Sequence, residues 1–340
     1  LVKMLISWLS LGLFAGGFLV RQILGIPMYL SVIVLVSLAG LFAYTGGLKT
    51  IAKINIFQMI LLIIVSALLT YLGIVKIGGL DVLFSSTPEN YWSLIRPASD
   101  NEYPWYAILL GYPVAAIAFF CTDQAMVQSV LGSKSLKQGQ LGVNFIAWLK
   151  ILSLPLFILT GVICYILFPN LEDPSLAYMT MVTNLFPTGL NGLVIVVLIA
   201  VLVGTIGSSL NSLSTVFTMD LYLKHINPSA KPKDIIKTGQ LTVVVGCFVA
   251  VLMALAIDQI KGLNLFDVFQ SIFGFIAPPL AAVFLLAVLW NKTSQFAVNS
   301  LLTFGAFLSL GVGILYLWIF PSKEYGFWPH YLMLSFYLFV

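Results

Sequence analysis

Apolar runs of about 20 residues follow one another along almost the whole chain, and this repetition constrains the fold more than any motif does. A helix of that length crosses the hydrocarbon core of a bilayer, and it satisfies its own backbone amides where no water can. The expected spans are 3–24, 27–48, 52–78, 104–130, 137–168, 190–223, 236–260, 264–290 and 294–320, with a further one from about 330. Turn-forming residues predict the breaks: Gly25-Ile26-Pro27, Gly46-Gly47, Gly78-Gly79, Pro169, Gly189 and Pro321. Charged residues are 8% of the chain and hydrophobic ones 60%, whereas a soluble domain carries about 25% charge. The fold class is therefore an all-α integral membrane protein, a single transmembrane domain over residues 1–340. Because the chain starts and stops inside apolar segments, it reads as a fragment of a longer protein.

The basic residues alternate with the spans. Lys3, Lys49, Lys53, Lys134, Lys137, Lys224, Lys231, Lys233, Lys237 and Lys292 fall on one side. Arg21, Lys76, Arg96, Lys261 and Lys323 fall on the other, beside Asp81, Glu89, Asp100, Glu102, Glu172 and Asp173. The lysine-rich side is expected to be cytoplasmic, which puts the Asn291-Lys292-Thr293 sequon inside, where it carries no glycan. The net charge of +4 reflects this distribution and implies no nucleic-acid partner. Cys121, Cys164 and Cys247 lie in apolar segments without metal spacing and read as small hydrophobes. Two longer loops, 80–103 and 169–189, fall outside; Asp173-Pro174 starts a short helix in the second, with Leu176, Met179, Val182 and Leu185 at helical spacing.

Polar groups inside the spans are few. Lys150 stands mid-span in 137–168, where an ammonium costs about 2.5–3.5 kcal/mol on insertion scales. Such a group faces a polar solute, a watery cavity or a structural carboxylate. Span 104–130 contains Pro113, which frees a backbone carbonyl, then Asp123, Gln124 and Gln128. Interruptions of this kind line sites near the midplane of transporters, although a packing kink is equally consistent with Pro113 alone. In 190–223, Thr205, Ser208, Ser209 and Ser212 share one helix face. Val201, Gly204 and Thr205 set a carbonyl and a hydroxyl where a desolvated cation could sit, unless small residues merely pack helices there. Asp267 and Gln270 lie between Phe266 and Phe269; an amide beside aromatics suits a polyhydroxylated solute. The same two polar residues could instead cap a helix end. Asn55 and Gln58 open the 52–78 span. There is no nucleophile–base set, metal cluster or phosphate loop, and His225 and His330 both lie in loops, so an enzyme is not expected.

Several stretches, in order and with matching spacing, resemble the solute:sodium symporter family, closest to its sodium/glucose branch. They are Ile23-Leu24-Gly25-Ile26-Pro27, Tyr44-Thr45-Gly46-Gly47-Leu48, Phe120-Cys121-Thr122-Asp123-Gln124 with Val127-Gln128, and Trp148-Leu149-Lys150. Further on come Leu210-Asn211-Ser212, the run from Ser214 to Tyr222, and Phe284-Leu285-Leu286 to Trp290. The resemblance implies a LeuT-type inverted-repeat fold, with core helices three to ten and the first C-terminal extras present and core helices one and two absent. It implies that Lys150 and Gln270 bind the solute, with Phe266 closing the site. Phe119 stands at a gate tyrosine position and Ala116 at a solute-binding asparagine position. Sodium, the coupling ion, would be held by Val201, Gly204 and Thr205, with Gly204 replacing a hydroxyl. Asn55 replaces an aspartate on the ion route, where Asp123 also falls.

The expected function is sodium-coupled symport of a small polar solute, a sugar first, by alternating access in the cell's inner (plasma) membrane. Beyond sodium no metal or cofactor is expected, and the partners are solute, sodium and lipid. Inositol, sialic acid or a carboxylate are alternative solutes. A solute-sensing membrane domain is the alternative of a different class, since family members fused to histidine kinases exist. Because of Gly204 and Asn55, sodium coupling is expected to be weak, and Gly204→Ser with Asn55→Asp is expected to strengthen it.

Overall fold

The structure is a computed structural model that describes residues 9–100, 103–259, 265–320, 322 and 324–340, with side chains for all of these except 46–51, 265–269 and 318. The expected break at Pro321, the side chains of Phe266 and Asp267, and Lys3, Glu102, Lys261 and Lys323 thus lie outside the described residues. All regular elements among the described residues are helical. In chain order they are α1 (Gly12–Leu24), α2 (Met28–Ile77), α3 (Leu80–Ser85), α4 (Trp105–Thr122), α5 (Gln124–Leu131), α6 (Leu136–Ser153), α7 (Leu159–Leu167), α8 (Ala177–Leu185), α9 (Thr188–Val216), α10 (Pro232–Ile257), α11 (Leu265–Leu289), α12 (Gln295–Ile314) and α13 (Tyr331–Phe339). Among the described residues, eight helices are long and apolar enough to cross a bilayer. The residues group into two compact units, Trp8–Trp92 with Ser129–Ile257, and Ser93–Gln128 with Asp258–Val340.

In the first unit α9 packs along both halves of α2, with α1 and α10 beside them and α7 and α8 against the second half of α2. The break expected at Gly46-Gly47 is not a break in helical hydrogen bonding, since α2 runs 50 residues through it. It is a change of direction. Gly207 lies beside Ala39 and Phe42, and Gly204 beside Asn55 and Gln58. The two glycines are about 4.5 Å apart along α9, whereas a straight helix would separate residues 42 and 55 by about 20 Å. The axis of α2 must therefore bend between them. Its end is sharper: Gly78 and Gly79 both take positive φ, 99° and 114°, a turn that favours glycine.

α8 is the short helix expected after Asp173. The Asp173 carboxylate accepts from the Ser175 N–H at 2.9 Å, and Met179, Met181 and Val182 are buried. Met181 and Val182 pack with Val65, Leu69, Leu83, Ile163, Cys164, Phe186 and Val194, so the loop after α2 also contributes, through Leu83 on α3.

In the second unit α11 packs against α4, α12 and α13. Pro113 does not interrupt α4, which runs through it. Neither do Pro278 and Pro279 interrupt α11. The interruption in 104–130 falls instead at Asp123, which is extended (φ −79°, ψ 120°). Its carboxylate accepts from the Ala125 N–H at 3.0 Å and its carbonyl accepts from Met126 and Val127, so it starts α5. A carboxylate can end one helix and begin another because it satisfies the orphan N–H groups of the second. Gly111 lets the α13 backbone approach α4: a Cβ there would meet the Leu332 carbonyl.

Candidate solute and ion site

The hydroxyls of α9 form a ladder. Thr205 donates to the Val201 carbonyl at 2.9 Å, Ser208 to Gly204 at 2.9 Å, Ser209 to Thr205 at 3.1 Å and Ser212 to Ser208 at 2.9 Å. Each bond returns to the preceding turn, as serine and threonine do inside apolar helices. Burial divides the expected face: Thr205 is exposed, Ser208 half-buried, and Ser209 and Ser212 are buried. The inner hydroxyls therefore sit in the packing of α9, and of these four residues Thr205 alone is exposed, its hydroxyl donating to the carbonyl of half-buried Val201. Gly204 adds no oxygen from a side chain and faces elsewhere.

Gly204 faces α2. It is buried, and a Cβ built on it would run into Asn55 Oδ1 and come within 2.7 Å of Gln58 Oε1. The Asn55 amide donates to Ser208 Oγ at 3.2 Å, and the Gln58 amide donates to the Ala200 carbonyl at 2.8 Å. Gln58 is 8% exposed, too buried for the inexpensive surface position its place in the sequence suggests. Two amides of α2 thus grip about two turns of α9, and only glycine at 204 leaves room for both. They form the polar spot in an otherwise apolar cleft of about 250 Å³, whose walls include Leu38, Phe42, Ile54, Ala200 and Val203. In the sequence Gly204 stands as a missing hydroxyl. The structure gives it a role of its own, which no residue pattern in a single helix could reveal.

Lys150 lies on α6, where only Gly139 is buried. The lysine is exposed, and among the described residues no carboxylate pairs with it. Its backbone carbonyl accepts from Ser153 Oγ at 2.6 Å. A π-helical turn, Leu154–Ile158, follows at once and contains Pro155; sequence reasoning missed it. Beside this turn stand Thr70, Thr160, Ser66 and Tyr178, equally missed, although Ser66 and Thr70 at i, i+4 in an apolar span are a visible signal.

Gln270 and Phe119 belong to the second unit, and Lys150, Val201, Gly204, Thr205 and Asn55 to the first. Phe119 on α4 meets Phe120 at 4.6 Å and, edge-on, Phe273 of α11 at 6.3 Å between ring centroids. Gln270, half-buried, is one turn ahead of Phe273, and Ala116 one turn ahead of Phe119. The facing turns of α4 and α11 thus bring the gate-position phenylalanine near the turn that carries the glutamine. The side chain of Phe266, one turn earlier, lies outside the described residues. Asp123 is 2% exposed and committed to starting α5.

The fold is shared with known proteins. The solved structure of a Na+-coupled sialic acid symporter, in a substrate-bound outward-open state, superposes on the whole of this chain and on 72% of its own length, with a TM-score of 0.75 at 20% sequence identity. The fold is therefore the LeuT type that the resemblance implied. The sodium/myo-inositol cotransporter 2 of Mus musculus is 29% identical over 336 residues, which cover 89% of this chain and 50% of that protein. The same cotransporter of Oryctolagus cuniculus is 30% identical over 341 residues, 90% of this chain and 49% of its own. Sodium/glucose cotransporter 1 of Oryctolagus cuniculus is 27% identical over 326 residues, 84% of this chain and 49% of its own. The chain spans about half the length of the relatives it matches. The model of the sodium:solute symporter family matches residues 1–303, and with the helical order and the shared fold this settles the affiliation: the chain belongs to the sodium:solute symporter family.

Proposed function

We propose that the protein carrying this chain moves a small polyhydroxylated solute, a sugar or a cyclitol, together with sodium by alternating access. The observation that carries this reading is Lys150, a cation in a span-length helix with no carboxylate partner among the described residues. A group so expensive to place in lipid is retained where it meets a polar ligand. Inositol and glucose, named in the relatives, are ligands of this chemistry. Gln270 supplies an amide that both donates and accepts toward hydroxyls, and Phe119 and Phe266 supply aromatic surface for the C–H faces. The lysine-rich loops are cytoplasmic in this reading, and the membrane is the plasma membrane.

Sodium binds as cargo at the Val201 carbonyl and the Thr205 hydroxyl. With Gly204 in place of a hydroxyl-bearing residue and Asn55 in place of a carboxylate, this chain's share of the oxygens that replace the ion's hydration shell is reduced and the coupling is loose. Coupling is the difference in solute affinity between sodium-bound and sodium-free protein, and a weak ligand can supply little of it.

Uptake of labelled glucose, galactose, myo-inositol and sialic acid into proteoliposomes of the full-length protein, with sodium or choline outside, tests both statements. Uptake of a neutral polyol that rises less than about tenfold with sodium is expected. Lys150→Ala should abolish it while the melting temperature stays within about 2 °C of wild type, because no buried partner is orphaned. Retained uptake in Lys150→Ala refutes the solute role, and transport of a carboxylate alone refutes the substrate class.

A further inference from the structure

Among the described residues the only extensive packing of α6 is against the π turn that continues it, and of its residues Gly139 alone is buried. Within the described structure the Leu154–Ile158 joint is therefore the contact through which the direction of α6, and with it the position of Lys150, is held. At 1.5 Å per residue the Lys150 Cα stands about 6 Å from the start of that joint. The side chain adds a similar reach, so a tilt of a few degrees moves the ammonium by about an ångström.

The joint is intrinsically loose. Pro155 has no N–H to give, and π turns replace the regular ladder with longer rings that commonly mark functional bends. Side chains on neighbouring helices brace it. Thr70, 7% exposed on α2, has its Oγ1 2.8 Å from Thr160 Oγ1 on α7. The same Thr70 hydroxyl lies 3.3 Å from the carbonyls of both Pro155 and Leu156. Thr160, fully buried, donates to the Leu156 carbonyl at 2.9 Å. One turn earlier on α2, Ser66 Oγ is 2.8 Å from the Tyr178 hydroxyl, and the Tyr178 ring lies against Phe157 of the π turn. Buried polar groups are hydrogen-bonded: Thr160 serves the Leu156 carbonyl of the irregular turn, while the single Thr70 proton has the Ser66 carbonyl of its own helix at 2.9 Å and Thr160 Oγ1 at 2.8 Å within reach.

We propose that Thr70 and Thr160 form a hydroxyl latch on the π turn which fixes the tilt of α6 and thereby positions Lys150 toward the solute. The claim rests on the solute-binding role of Lys150. Thr70 and Thr160 touch no solute; they act through the joint.

Spin labels at Leu141 on α6 and Phe248 on α10, both exposed and both in the first unit, read the tilt directly in the full-length protein in liposomes. Thr70→Val, nearly isosteric without the hydrogen bonds, should broaden the inter-label distance distribution. It should raise the half-saturating solute concentration at least tenfold with less than a twofold fall in maximal uptake. Thr70→Ser should restore both readouts, and Thr160→Val, which removes the same bond from the other side, should reproduce the loss if Thr70→Val fails to fold. A wild-type distance distribution in the folded valine variants overturns the latch, as does failure of Thr70→Ser to restore it. Lys150→Ala judges the solute role separately: if it transports normally, that role falls while the distance measurement still decides whether the latch holds α6.

Discussion

Placing a serine at Gly204 tests the contact between α2 and α9 most directly, because sequence reasoning and structure predict opposite results. On the sequence, Gly204→Ser supplies a hydroxyl for sodium. In the structure its Cβ meets Asn55 Oδ1 and stands 2.7 Å from Gln58 Oε1. The amide ends must swing away, which breaks the bonds from Asn55 to Ser208 and from Gln58 to Ala200. Each such bond contributes about 0.5–1.5 kcal/mol, and overpacking a well-filled contact adds about 1–3 kcal/mol where the neighbours cannot relax. A loss of about 2–6 kcal/mol is expected, visible as a clear fall in the melting temperature of the purified protein in detergent. Gln58→Ala in the Gly204→Ser background opens space and should recover part of that loss, because the two sites share one contact and do not add independently. A Gly204→Ser variant as stable as wild type, with a sharpened sodium response, would refute the reasoning and return position 204 to the ion.

Gly111→Ala should destabilise by more than about 3 kcal/mol, since its Cβ meets the Leu332 backbone carbonyl, which cannot rotate away; denaturant or thermal unfolding checks it. His330 gives a pH signature: its Nδ1 accepts from the Leu332 N–H at 3.3 Å at the start of α13, and burial, partly opposed by nearby Asp100, lowers its pKa from 6.5 to about 4. The unfolded chain therefore binds the proton first, so this contribution is intact above pH 6.5 and is lost as pH falls from 6.5 toward 4. His330→Asn, which can cap without titrating there, should flatten the fall in melting temperature over that window. Cysteines at Lys134 and Ser99 should differ in labelling by an impermeant thiol reagent on intact cells, with Ser99 the accessible one; equal labelling would contradict the lysine-rich side being inside. Lys134 is preferable to Ser135, whose hydroxyl accepts from the Gln138 N–H at the start of α6.

The class of fold was legible because lipid as a solvent imposes length and apolarity on each span independently, and both are properties of consecutive residues. The short helix after Asp173 was legible for a similar local reason, its cap and its helical period lying within a dozen residues. Pro113 misled because a proline inside a helix loses one bond yet can still be accommodated, whereas Asp123, read as a polar oddity, is where α4 ends.

What the sequence by itself determined was the helical, membrane-spanning character of the chain and which residues are too polar for lipid. Only the tertiary structure decided what those polar residues do. Gly204 looked like a subtraction until Asn55 and Gln58, about 150 residues away, were seen to occupy the space a side chain would need. Thr70 and Thr160 went unnoticed in the sequence, and only the structure brings their hydroxyls to each other and to the carbonyls of the π turn. A hydrogen bond depends on a distance of about 3 Å between two groups. Which groups come that close across helices is fixed by packing, where no pattern along the chain records it.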